Sequence, residues 1–139
     1  MDEALEGFWT AIIQQSETKG FQVPLGFRTV AYGEGRAQVE VEVTAAHLNL
    51  RGDMHGGAIA TLIDWAGTIA IVTGDREHRA GVTTDLSISY LRGAPPGARL
   101  RAEATLLKAG GAIAFVDVTV YREDAAIVAR GRMTKYLDS

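Results

Sequence analysis

The sequence predicts an α+β fold in which a curved antiparallel sheet of six strands wraps around one long central helix. Two observations carry that prediction. The hydrophobic patterns run in the order helix, two strands, helix, four strands, and only the second helix is apolar on nearly every side, as a helix enclosed by other structure must be. Length agrees: 139 residues suit a single domain, 1–139, with a core of its own.

The elements follow in order. Residues 2–19 read as an amphipathic helix, with Leu5, Phe8, Trp9, Ile12 and Ile13 at helical spacing and Gly20 as its stop. Phe8 and Trp9 are expected in the core. Phe21-Gln-Val-Pro-Leu-Gly26 is an irregular apolar stretch. Strands are expected over 27–32 and 36–43, the second alternating Ala37, Val39, Val41 and Val43 against Gln38, Glu40 and Glu42, with Gly33-Glu-Gly35 as the turn. From Gly57 a proline-free apolar run forms a helix that should end near Gly74. Four strands complete the chain, over 81–91, 98–109, 113–122 and 126–136. Pro95-Pro-Gly97, Gly110-Gly111 and Glu123-Asp124 between them read as hairpin connections. The edges of such a sheet are unpaired, and pairing across a dimer would cover them.

Composition excludes several classes of function. The 14 lysines and arginines are scattered against 17 acids for a net charge of −3, so there is no basic footprint for nucleic acid or an anionic membrane. The acidic start Met-Asp-Glu-Ala-Leu-Glu lacks the parts of a signal peptide, and no segment is expected to reach the roughly 18 apolar residues of a membrane span. A cytoplasmic protein is therefore expected. Absence of cysteine removes thiol nucleophiles, disulfides and thiolate metal sites.

Chemistry concentrates between His47 and Asp64. The segment His47-Leu-Asn-Leu-Arg-Gly-Asp-Met-His-Gly-Gly57 leads into the apolar helix, whose one charge is Asp64. An ionised carboxylate there costs several kcal/mol unless paired or hydrogen-bonded. Asp64 either bonds a neighbouring turn or serves chemistry. Gly56 and Gly57 favour the second, because uncovered backbone amides at a helix start make a site for a carbonyl oxygen that gains negative charge. Gly57 and Asp64, seven residues apart, are separated by roughly 10 Å along the axis at about 1.5 Å per residue. An attacking group and the oxyanion donors must each lie about 3 Å from one carbonyl, which a single helix provides poorly. Two antiparallel copies satisfy the distances, so a dimer with two composite sites is expected.

The run His47-x-Asn49-x-x-Gly52-x-x-His55-Gly56-Gly57, with Asp64 on the helix and Gly81-Val-Thr-Thr-Asp-Leu-Ser87 beyond it, resembles the hotdog-fold thioesterases of the PaaI-like (phenylacetate-pathway) family over about residues 20–137. The resemblance implies hydrolysis of small aromatic or short- to medium-chain acyl-coenzyme A, without metal or other cofactor, by a homo-oligomer that is a dimer of dimers. It assigns the Gly57 N–H to polarising the thioester carbonyl and Asn49 to orienting the thioester. Asp64 is the nucleophile or the general base for water, and His55 supports the loop and the leaving group. Thr83 positions the attacking water or the acid. Gly56, Leu50, Met54 and Thr84 are expected to flank the substrate, and by their place near the motif Phe21, Pro24 and Leu25 are further apolar lining.

Strand alternation disagrees on the threonine. Thr83 shares a face with Asp85, Ser87 and Ser89, whereas Thr84 shares one with Leu86, Ile88 and Tyr90, so parity favours Thr84, which is held in reserve. Arg92, Arg99, Arg101, Arg130 and Arg132 are candidates for the coenzyme A phosphates, though alternating arginines also read as a solvated face. His47 and His78 could join His55 as metal ligands, but the short ligand spacing is missing, and no metal is expected. Two other readings compete. One is an acyl-thioester hydratase or dehydratase using His55 with Asp64, against which the His-Gly-Gly motif with Asn49 weighs. The other is a non-catalytic module that binds acyl-coenzyme A, against which Asp64 weighs.

Overall fold

Alternating apolar positions in the strands and a helix apolar on most sides produce the expected architecture. The computed structural model describes residues 3–137. Its elements are α1 (Glu3–Ser16), β1 (Arg28–Gly33), β2 (Arg36–Glu42), α2 (Gly56–Gly74), β3 (Val82–Tyr90), β4 (Arg99–Ala109), β5 (Ile113–Arg122) and β6 (Ile127–Tyr136). Short 3-10 turns, Val23–Leu25 and Ala45–His47, lead into β1 and the motif loop. The expected start of α1 at Asp2 and the side chain of Leu5 lie outside the described residues. Trp9 is buried and meets His78 edge-on, ring centroids 4.8 Å apart. Phe8, expected in the core, is instead 48% exposed, because its neighbour Trp9 takes the inward direction on the helix.

All strand pairs are antiparallel, in the order β1-β2-β4-β5-β6-β3. The β1–β2 turn places Glu34 at φ 51°, the left-handed region, between two glycines. Gly110-Gly111 and Glu123-Asp124 close the β4–β5 and β5–β6 hairpins. Pro95-Pro-Gly97 does not close a hairpin, contrary to expectation. β3 lies against β6 at one edge while β4 lies between β2 and β5, so residues 91–98 cross the end of the sheet. The crossing is tied down on its way: the Leu91 N–H donates to the Val128 carbonyl, the Met54 N–H to Ala94 and the Gly97 N–H to Val43. Proline and glycine mark a break in the strand, not which strand the chain joins next.

The helix α2 packs on the inward residues of β2, β4 and β5, among them Val39, Val41, Leu100, Ala102, Val116 and Val118. Gly67 lets it approach β6, since a Cβ there would come within 2.6 Å of the Met133 methyl. Contrary to expectation, the 19-residue α2 is long and apolar enough, by length and composition, to cross a membrane. Its apolar surface is needed here for contact with the sheet, which leaves Leu62, Ile63, Ala66 and Ile71 with no exposure. The edge strand β3 is exposed along most of its length, Val82 by 63% and Tyr90 by 52%.

Candidate active site

The motif loop is built by its own side chains. Asn49 Oδ1 accepts from the N–H groups of Arg51 at 2.9 Å and Asp53 at 3.1 Å, and the Asn49 N–H donates to the Asp53 carbonyl at 2.8 Å. This local turn occupies the amide oxygen and leaves the Nδ2 donors as the part of Asn49 able to meet a thioester. Gly52, at φ 87°, permits the reversal. Leu50 at the tip is fully exposed, as is most of Phe21 at 77%. Met54 behaves differently from the expected pocket lining: it is 3% exposed and belongs to the core, drawn inward by the backbone bridge between Leu48 and Met54.

The three histidines are each engaged. His47 is buried, its Nδ1 accepting from the Thr44 N–H at 3.0 Å and its Nε2 2.7 Å from the Leu25 carbonyl oxygen, which fixes Nε2 as the protonated nitrogen. His78 Nδ1 lies 2.9 Å from the Val72 carbonyl oxygen. Among the described residues no group of three His, Cys, Asp or Glu side chains could hold a metal ion.

His55 is the N-cap of α2. Its Nδ1 accepts from the Gly57 N–H at 2.8 Å, so the ring in this arrangement is neutral with its proton on Nε2. The donor expected to polarise a carbonyl is therefore occupied by an imidazole. Gly56 is held from the other side by Tyr90, whose hydroxyl donates to the Gly56 carbonyl at 2.9 Å. Sequence reading did not single out Tyr90 as a site residue, although its parity with Leu86 and Ile88 placed it on the helix-facing side.

Two turns along α2, Asp64 meets β3. Thr83 Oγ1 donates to Asp64 Oδ1 at 2.7 Å, with the Met133 sulfur 3.7 Å from the same hydroxyl. Thr84, favoured by parity, instead donates to the Thr134 carbonyl at 3.1 Å. The cause is a bulge: Thr83 pairs with Lys135 and Asp85 with Thr134, leaving Thr84 as the extra residue. One inserted residue returns Thr83 to the face of Leu86 and Ile88. A single chain thus joins Asp64 to Thr83, whereas the Gly57 N–H remains nearly two helical turns away.

Most of the candidate arginines are also engaged. Arg101 pairs with Glu40 and Arg132 with Asp117, each at 2.9 Å, and Arg92 donates to the Ile127 carbonyl. Arg101 and Arg132 have acidic partners on the outer face of the sheet and are not a free phosphate cluster.

Known proteins show the same plan. Residues 51–129, more than half of the chain, match the model of the thioesterase superfamily. Human acyl-coenzyme A thioesterase 13 is 33% identical over 124 residues, 88% of each chain. The structure of E. coli PaaI, from the phenylacetic acid degradation operon, superposes with a TM-score of 0.85 at 26% identity, covering 94% of this chain and 93% of that one. A Streptococcus mutans protein solved with acetyl-CoA superposes with a TM-score of 0.77 at 29% identity, over 82% and 90% of the two chains. With its six-stranded sheet packed on a central helix in the hotdog arrangement, the chain belongs to the thioesterase superfamily and, within it, to the PaaI-like subfamily.

Proposed function

We propose that this protein hydrolyses the thioester of a small aromatic or short- to medium-chain acyl-coenzyme A, with Asp64 as the group that acts at the carbonyl carbon. The observation that carries the reading is the Thr83–Asp64 hydrogen bond, at the edge strand and on the one charged position of an apolar helix. A hydroxyl donor at 2.7 Å fixes the rotamer of the carboxylate. The Asp64 oxygen that Thr83 leaves free faces the reaction. As general base it takes a proton from water while the water oxygen attacks the carbonyl carbon; as nucleophile it forms an anhydride that water then cleaves. In both routes the carbon–sulfur bond breaks and coenzyme A leaves as its thiolate, which takes up a proton.

The carbonyl oxygen gains charge in either route, and the Gly57 N–H is the donor proposed to receive it, the substrate displacing the His55 ring from that N–H. Asn49 Nδ2 is the second donor in reach of the motif loop. Two copies of the exposed edge strand β3 pair antiparallel in this reading, bringing Gly57 of one chain to Asp64 of the other, and two such dimers form the assembly. The acetyl-CoA bound to the Streptococcus mutans relative and the activity that names the human relative support the substrate class.

The test is steady-state thiol release by the wild-type protein from a panel of aryl- and alkyl-coenzyme A thioesters. Turnover of one acyl group well above the others supports the reading. Tight binding of every thioester without thiol release refutes it in favour of a non-catalytic acyl-coenzyme A module.

A further inference from the structure

Lys135 is the only lysine or arginine buried among the described residues, with 5% exposure. It reaches the interior because Gly131, Met133 and Lys135 alternate toward α2 on β6. Its Nζ donates to Thr68 Oγ1 at 2.7 Å, and Thr68 Oγ1 donates in turn to the Asp64 backbone carbonyl at 2.7 Å. A second path runs through the sheet, where Lys135 is the cross-strand partner of Thr83, whose hydroxyl holds the Asp64 carboxylate. Of the two hydroxyls that bond to Asp64, that of Thr68 thus holds the ammonium, and that of Thr83 belongs to the residue paired with Lys135 across the sheet.

Burying an ammonium on a neutral hydroxyl is costly unless an opposite charge lies near. Burial pushes the Lys135 ammonium below the usual lysine range, and the charge of Asp64 opposes that shift. No other acid competes for the role along α2, where Asp64 is the one charged residue. The remaining charges of β3 and β6, Asp85, Arg130 and Arg132, line the outer face of the sheet with Asp117 of β5. Of the other titratable groups around α2, Tyr32 of β1 turns its hydroxyl to Thr10, Tyr90 of β3 bonds the Gly56 carbonyl, His55 caps the helix start, His78 bonds the Val72 carbonyl, and Asp75 past the helix end pairs with Arg79.

We propose that Lys135 is a positioning residue: seated on Thr68 one helical turn beyond Asp64, its ammonium is the internal counter-charge that holds the Asp64 carboxylate in place. The functional half of this inference rests on the proposed role of Asp64; the electrostatic half does not. Coupling between two charges is reciprocal, so each must shift the titration of the other.

The first test reads the lysine. NMR titration of labelled lysine side chains, in wild type and in Asp64→Asn, is expected to move the Lys135 midpoint down by about one pH unit in the variant, the scale of coupling between charges several ångströms apart inside a protein. Coincident titrations would overturn the proposal. The second test reads the reaction. In Lys135→Met the acid limb of kcat/KM should move up by about one pH unit, and Lys135→Arg should restore it. A folded Lys135→Met protein with an unmoved acid limb contradicts the counter-charge role. If Lys135→Met does not fold, the Asp64→Asn titration decides the matter, since it leaves the lysine in place. Lack of thiol release by wild type would count against hydrolysis and leave the lysine titration to decide the coupling.

Discussion

Replacing Thr83 by alanine removes one hydrogen bond, of 2.7 Å, from the Asp64 carboxylate. Hydrogen bonds to charged groups contribute about 1.5–3 kcal/mol, and Thr83 is exposed in the single chain, which places its bond at the low end. At about 1.4 kcal/mol per tenfold, the expected loss in kcat/KM is roughly tenfold. Thr84→Ala removes a bond to the Thr134 carbonyl that touches no reacting group, and should leave kcat/KM within about twofold of wild type while costing about 0.5–1 kcal/mol of stability. Thr83→Ser keeps the hydroxyl and should keep the activity. Thiol release from the best thioester, with thermal melting of each variant as the folding control, separates these outcomes. A larger kinetic loss in Thr84→Ala than in Thr83→Ala would refute the reasoning and return the strand to uninterrupted alternation.

Further predictions concern the cap, a buried ion pair and assembly. Loss of the His55 cap in His55→Ala should cost about 1 kcal/mol, read as a melting temperature lower by several degrees; an unchanged melting temperature would mean that the ring does not hold the helix start. Arg79 donates to both oxygens of the 3%-exposed Asp75 at 2.9 Å and holds its carboxyl down at about 2. Because that lies below the unfolded value, the pair stabilises the fold above about pH 4, by about 2 kcal/mol, and the contribution drains away as pH falls toward 2. Urea unfolding of Asp75→Asn should therefore show weaker acid sensitivity than wild type across that window, and equal sensitivity would contradict the assignment. In a purified heterodimer of one Asp64→Asn chain and one Gly57→Pro chain, shared sites place both defects in one site and leave about half the activity. An inactive heterodimer, from chains that fold, would put both groups on the same protomer.

Much of this molecule is legible in its residues. Alternation located the strands because each has one face against the helix, and the single acid in an apolar helix pointed to Asp64. Strand order was not legible: the Pro95-Pro-Gly97 segment signals a break equally well whether the next strand pairs with the last or crosses the sheet. Parity failed at Thr83 for a related reason, since one bulged residue at Thr84 inverts the faces and no composition signal marks it. Met54 looked like pocket lining beside the motif, but the Leu48–Met54 bridge turns it into the core. The His55 cap on Gly57 depends on a rotamer, which residue spacing does not specify. Lys135 had a signal that went unused, as a charge sharing the inward parity of Gly131 and Met133.

The central claim is that Asp64 carries the chemistry, and the most direct test compares thiol release by wild type and Asp64→Asn on the same thioester, with both proteins shown to be folded and equally assembled. General acid–base catalysis contributes about 10²–10⁴-fold, and the amide is nearly the size of the carboxylate, so the account predicts a fall in kcat of at least about 100-fold with little change in melting temperature. Turnover by Asp64→Asn at the wild-type rate would contradict it.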